Sequence, residues 1–180
     1  MRYNPDIHHR HSIRIKDYDY SSNGLYFITI CTQDRAMLFG EVVGADLVSA
    51  QMCLNNEGKM IKSVYLKIIE SYDNITSDEF IIMPNHFHCI IDIFNNRADT
   101  RSAPTNSTPK IGRIIQEFKS RTTVEYINGV KSGLYPSFNK RIWQRNYYER
   151  IIRNDTEYQM IRRYIVENPS RWTADCYFDT

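Results

Sequence analysis

A chain of 180 residues with 42% hydrophobic and 24% charged residues is long enough for one self-supporting core and too apolar to be a disordered chain, so residues 1–180 read as a single domain. The formal charge of +2 excludes a bulk electrostatic pull toward nucleic acid; any basic footprint has to be local. Four cysteines without C-x-x-C spacing exclude a zinc cage and a disulfide scaffold, and the lack of a long apolar run excludes a membrane span, which together point to a cytoplasmic protein with reduced thiols.

Residues 1–23 form a basic, His-rich leader without the apolar stretch of a signal peptide. "GLYFITICT", 24 to 32, follows as an aromatic and β-branched strand. Met60, Ile61, Val64, Ile68 and Ile69 then recur at helical spacing and predict a helix over about 56 to 71. "DEFIIMP" and "HFHCIIDIF" read as two antiparallel strands joined at Pro84-Asn85. A second helix, "KIGRIIQEFKSRTTVEYI", buries Ile111, Ile114, Ile115, Phe118 and Thr122 on one stripe. A last strand is predicted over 142 to 152, and Asn154 with Glu157 makes a capping-box signature that opens a final helix ended by Pro169.

The order strand, helix, strand, strand, helix, strand, helix predicts an α+β fold: a ferredoxin-like sandwich, an antiparallel sheet with helices on one face plus a C-terminal helix. Two stretches, 41–53 and 95–110, fit no element of that plan and read as surface loop insertions. They share the pattern A-D-x-x-S-A at Ala45 to Ala50 and Ala98 to Ala103. Because one DNA strand and its complement can encode the two versions, the hypothesis is a palindromic repeat inserted twice in opposite orientations. Codons that break complementarity would exclude it.

The chemistry concentrates in "MPNHFHCII". Side chains alternate along a strand, so His86 and His88 share one face while Phe87, Cys89 and Ile91 take the other. Two imidazoles roughly 7 Å apart at the backbone suit one shared metal ion, although polar-face histidines with no ligand role would give the same pattern. In "RRYIVENP", Tyr164 and Asn168 are four residues apart and fall on one side of the last helix, with Ile161 and Ile165 at the margin of its buried stripe. Asn168 offers a carbonyl oxygen as a third ligand, and an open N, N, O set suits Mg²⁺ or Mn²⁺. Tyr164 would be the nucleophile, its phenolate favoured by a metal or a basic neighbour.

"MPNHFHCII", then "IWQRNYYERIIRND", then "RRYIVENPSRW", together with the opening "HSIRIKDYDYSSNGLYFITICTQDRAMLFG", resembles the single-tyrosine HUH transposases, in particular the REP-associated tyrosine transposase branch. The match covers nearly the whole chain outside the two insertions. The resemblance implies His86 and His88 as metal ligands, Tyr164 as the catalytic tyrosine carried on the C-terminal helix, and Asn168 where the family places a third ligand, often Gln in insertion-sequence relatives. Members often have His at the position of Arg150, so any role of that side chain is missing here.

The implied reaction is metal-dependent nicking and strand transfer on single-stranded or hairpin DNA at palindromic repeats, through a 5′-phosphotyrosine intermediate. Arg10, Arg14, Lys16, Arg113, Lys119 and Arg121 are candidate phosphate contacts, and Tyr18, Tyr20, Tyr147 and Tyr148 candidate stacking surfaces for unpaired bases. A monomer is expected, with a homodimer that exchanges the tyrosine helix as the alternative. Two other classes stay open: a catalytically silent repeat-DNA-binding protein, and an RNA-binding or RNA-processing protein on the same fold.

Overall fold

A computed structural model describes residues 23–44, 50–94 and 110–178. The leader residues Arg10, Arg14, Lys16, Tyr18 and Tyr20, most of the 95–110 insertion and the centre of the 41–53 insertion lie outside them.

The strands are β1 (Gly24–Cys31), β2 (Gly40–Val43), β3 (Gln51–Leu54), β4 (Ile75–Ile82), β5 (His86–Ile93) and β6 (Tyr148–Ile152). The helices are α1 (Asn56–Glu70), α2 (Ile111–Lys131) and α3 (Asp155–Val166), followed by a 3-10 turn at Pro169–Ala174. Four strands form one sheet in the order β4-β5-β1-β6, every neighbouring pair antiparallel. The connections β1–α1–β4 and β5–α2–β6 each cross over one helix, and β4 returns to β5 directly. That interleaving is the ferredoxin-like sandwich the element order predicts.

Alternation along β1 and β5 divides the core. Tyr26, Ile28 and Ile30 with Phe87, Cys89, Ile91 and Ile93 pack beneath α1 and α2. Phe27 and Ile90 face the other way, where they cluster with Ile152 of β6 and Ile165 of α3. The tyrosine-bearing helix therefore lies on the opposite face from the other two.

Local chemistry explains the ends of the helices. Asn55 caps α1 by accepting from the Gly58 amide at 2.8 Å, and Asn154 caps α3 by accepting from the Glu157 amide at 2.9 Å. Glu157 returns its carboxylate to the Arg153 amide at 2.9 Å, a reciprocal cap displaced by one residue from the usual box.

Three boundaries differ from the sequence reading. The 41–53 stretch is not simply a loop, because β2 and β3 pair at its ends. Gly40 makes that hairpin possible: its φ is +128°, and a Cβ there would stand 2.1 Å from the Cys53 carbonyl oxygen. The last strand is shorter than predicted: Ile142 and Trp143 enter the core and keep only an isolated antiparallel bridge, Trp143 to Thr32. Trp143 donates its indole N–H to Thr122 at 2.8 Å, and the Lys119 ammonium donates to the carbonyls of Gln144 and Asn146 at 2.9 and 3.0 Å. Third, α3 stops at Val166, so Asn168 lies just past its end, although with near-helical backbone angles of −57° and −42°.

All four cysteines are free thiols, Cys89 buried, Cys31 half-buried, Cys53 and Cys176 exposed. Among the described residues no helix is long and apolar enough to cross a membrane.

Candidate active site

The strand alternation places His86 and His88 on the α3 side of β5, with ring centroids 4.5 Å apart and both residues at most 1% exposed. Each ring is held through Nδ1. His86 Nδ1 meets the Asn85 side-chain oxygen at 2.9 Å, and His88 Nδ1 meets the Thr29 hydroxyl at 2.8 Å from the paired position on β1. Both Nε2 atoms are thereby left for other partners.

Tyr164 reaches the same point from α3. Its hydroxyl lies 3.3 Å from His88 Nε2, and its ring stands edge-on to Phe27 and to His88. Two polar ties hold α3 there: Tyr158 donates to Asp78 at 2.7 Å and Arg162 to Glu79 at 2.6 Å, both on β4. Asn168 arrives fully buried, donating its amide N–H to Asp175 at 3.0 Å. Its side-chain oxygen is left over.

His86 Nε2 and Asn168 Oδ1 are buried and have no hydrogen-bond partner of ordinary geometry among the described residues. A buried polar atom without a partner costs about 1–3 kcal/mol. Two such atoms on neighbouring side chains are the signature of a site built for a third party. The Asp175 carboxylate joins them, since one ligand atom from each of His86, His88 and Asp175 lies within 4.8 Å of the others. Cis ligands of an octahedral Mg²⁺ or Mn²⁺ stand about 3 Å apart, from bonds of roughly 2.1 Å, so His86, His88 and Asp175, within 4.8 Å of one another, would have to draw together to share one ion. The donors fit the group: two imidazoles, an amide oxygen and a carboxylate that supplies negative charge in a dry place.

Electrostatics agrees with the geometry. Burial lowers the His86 pKa to about 4, against the opposing pull of Asp175 and Asn168, and burial with the neighbouring His86 takes His88 well below its usual value. Both rings are therefore neutral at pH 7, the state a metal requires. Burial raises the Tyr164 pKa well above its usual value, with Asp175, Tyr177 and Cys176 adding to the rise and Asn168 opposing it. The phenol is not activated by the protein alone.

Sequence reasoning missed the segment that follows Asn168. Trp172 and Tyr177 lie against the His86 ring at centroid distances of 5.8 and 4.6 Å, and Tyr177 also meets His88 at 5.9 Å. Asn85 donates to the Tyr177 carbonyl at 2.7 Å and Arg35 to that of Cys176 at 2.6 Å. No periodicity marks "TADCYF"; only the position of an Asp seven residues past Asn168 could have raised suspicion, and weakly.

The described DNA-contact candidates are mostly elsewhere. Arg113, Lys119 and Arg121 sit on α2, which covers the other face of the sheet, and Arg121 pairs with Glu117 at 2.7 Å. Lys119 is engaged by backbone carbonyls, with Tyr147 beneath its ammonium at 5.4 Å. Tyr148 alone among them shares the α3 face; it is 48% exposed and edge-on to Phe27. It also lines an open cleft of about 590 Å³ between β6 and α3, together with Arg150, Arg153 and Met160. Arg150 pairs there with Glu157 at 2.5 Å.

No protein-family model matches the chain. An uncharacterized protein of Haemophilus influenzae is 37% identical over 179 residues, covering 97% of this chain and 96% of that protein. Among solved structures, a REP-associated tyrosine transposase bound to a REP hairpin superposes with a TM-score of 0.51 at 19% identity, over 83% of this chain and 68% of that one. The chain thus belongs to one family with the Haemophilus influenzae protein, and its fold is that of a REP-associated tyrosine transposase.

Proposed function

We propose that the protein is a transposase-like enzyme that nicks and rejoins single-stranded DNA at hairpin-forming palindromic repeats, with Tyr164 as nucleophile and His86, His88 and Asn168 holding a divalent cation. The observation that carries the reading is the convergence of Tyr164 Oη, His88 Nε2 and two unpartnered buried atoms, His86 Nε2 and Asn168 Oδ1, at one end of one strand. The fold shared with a transposase solved on a REP hairpin supports DNA as the substrate.

In the reaction Tyr164 Oη attacks the scissile phosphorus in line, forming a 5′-phosphotyrosine bond as the P–O bond to the 3′ oxygen breaks. The departing 3′ oxygen takes up a proton, and the phenol loses one. Reversal by another 3′-hydroxyl exchanges one phosphoester for another, so joining needs no ATP. A bound Mg²⁺ or Mn²⁺ would supply Lewis-acid stabilisation of charge on the phosphate and favour the phenolate. The protein's own groups do the rest: His88 Nε2 holds the Tyr164 hydroxyl in place at 3.3 Å, and Phe27 with Trp172 and Tyr177 keeps the rings dry. Tyr148 at the mouth offers an unpaired base a stacking surface, and Arg150 and Arg153 line the cleft along which the strand would run.

The ties from α3 to Asp78 and Glu79 of the same chain support a monomer acting in cis.

The test is a denaturing-gel assay for covalent protein–DNA adducts, with wild type and Tyr164→Phe, repeat hairpins from the gene's own flanks, and Mn²⁺ or EDTA. A metal-dependent adduct made only by wild type is expected. Equal hairpin binding by both proteins with no adduct from either would favour a recognition-only protein, and stronger action on matched RNA hairpins would move the substrate to RNA.

A further inference from the structure

The free Nε2 of His86 is a consequence of a chain of hydrogen bonds that begins in the C-terminal segment. A backbone carbonyl can only accept, so the contact of 2.7 Å between the Asn85 side chain and the Tyr177 carbonyl has to be made by the Asn85 NH₂ group. The flipped amide would set two acceptors against each other. Asn85 Oδ1 must then be the atom that faces His86 Nδ1 at 2.9 Å, and since it too can only accept, Nδ1 must carry the proton. A neutral imidazole protonated at Nδ1 has its lone pair on Nε2. That is the buried atom left without a partner.

Asn85 is built to hold this orientation. It is 1% exposed, and its own backbone carbonyl is fixed by the Thr32 amide at 2.8 Å and the Thr32 hydroxyl at 2.9 Å. His88 differs. Its two nitrogens meet the hydroxyls of Thr29 and Tyr164, and each hydroxyl can donate or accept, so nothing in the fold dictates which nitrogen of His88 bears the proton.

We propose that Asn85 is a positioning residue for the cation site, locking His86 in its Nδ1–H tautomer under the direction of the Tyr177 carbonyl, so that His86 is a permanently presented ligand whereas His88 becomes one only when the Tyr164 hydroxyl turns away. The proposal rests on the cation-site reading of His86, but its first test requires no metal.

Metal-free protein with ¹⁵N-labelled imidazoles, held at pH 8, is observed by long-range ¹H–¹⁵N correlation. Wild type should show His86 with a pyridine-type Nε2 and a protonated Nδ1; a predominant Nε2–H form would overturn the proposal. Asn85→Asp retains an acceptor for Nδ1–H and should keep the same tautomer although it cannot donate to Tyr177. Asn85→Ala should show mixed tautomers, and its Mn²⁺ affinity, measured by calorimetry, should fall about 10–100-fold, the usual effect of removing an orienting partner. Unchanged tautomer and affinity in Asn85→Ala, or a switched tautomer in Asn85→Asp, would sink it. Wild type that shows the expected tautomer yet binds no Mn²⁺ would instead count against the cation-site reading.

Discussion

The two faces of the β1–β5 pair are made by alternate residues of the same two strands, yet they are finished in opposite ways. Beneath α1 and α2, Tyr26, Ile28, Ile30, Phe87, Cys89, Ile91 and Ile93 close into hydrocarbon. Beneath α3, Thr29, His86 and His88 are equally buried, but the space around them holds polar atoms, two of them without partners. The covers differ accordingly. Seven residues of α2 are buried, whereas α3 fully buries only Ile165, packs Tyr158, Ile161 and Tyr164 half-buried beside it, and adds exposed polar ties to β4. One face supplies the stability that lets the other carry unsatisfied groups.

That division can be broken by mutation. The largest expected effect is on chemistry: Tyr164→Phe should abolish covalent adducts while changing unfolding free energy by no more than about 1 kcal/mol, because the ring contacts to Phe27 and His88 survive. A variant that unfolds instead would show that the tyrosine is a structural element of its face. Next in size is Phe87→Ala on the opposite side of the same strand, where a fully buried ring packs on Tyr65 and Phe118. Urea melts should show a loss of about 3–5 kcal/mol. A cost below about 1 kcal/mol would mean that the α1–α2 face is not the stabilising one.

Lys119 sharpens the comparison from the edge of that core. Lys119→Met leaves the carbonyls of Gln144 and Asn146 without their donor and should cost about 1–3 kcal/mol, with no loss of adduct formation beyond what reduced folding explains. Burial lowers the Lys119 pKa to about 8 from 10.5. Between those values the unfolded chain holds a proton that the folded protein has released, so stability rises with pH through that window. Wild type should therefore gain on Lys119→Met between about pH 7.5 and pH 9.5, and a gap that narrows would show the ammonium to be the favoured form in the fold. The smallest effect is expected for Arg162→Ala. Its side chain is 45% exposed, so the ties to Asp78 and Glu79 should contribute about 0.2–1 kcal/mol. A much larger loss would mean that polar anchoring of α3, rather than its apolar contacts, holds the active face together.

Much of this was readable one residue at a time. The period-2 pattern of β5 fixes which residues share a face with His86 and His88, because a strand has no other way to place its side chains. Helical spacing located α1 and α2, and Asn154 marked the start of α3 because a cap is a local contact. Strand ends were less legible: Ile142 and Trp143 look like strand residues, yet only an isolated bridge from Trp143 to Thr32 remains, while Thr122 takes the Trp143 indole and Lys119 the carbonyls of Gln144 and Asn146, contacts that reach back more than twenty positions. The site divides in the same way. His86, His88, Tyr164 and Asn168 stand out in the sequence because their types and spacings repeat a motif. Asn85, Thr29, Asp175 and Tyr177 do not, since their roles consist of contacts across 59 and 92 residues of chain, or of a bend after α3 that no periodicity encodes. Sequence alone therefore determined which side chains stand as candidates for the proposed chemistry. Only the tertiary structure decided which lone pairs face the common point, because hydrogen-bond direction depends on what lies opposite each group in space.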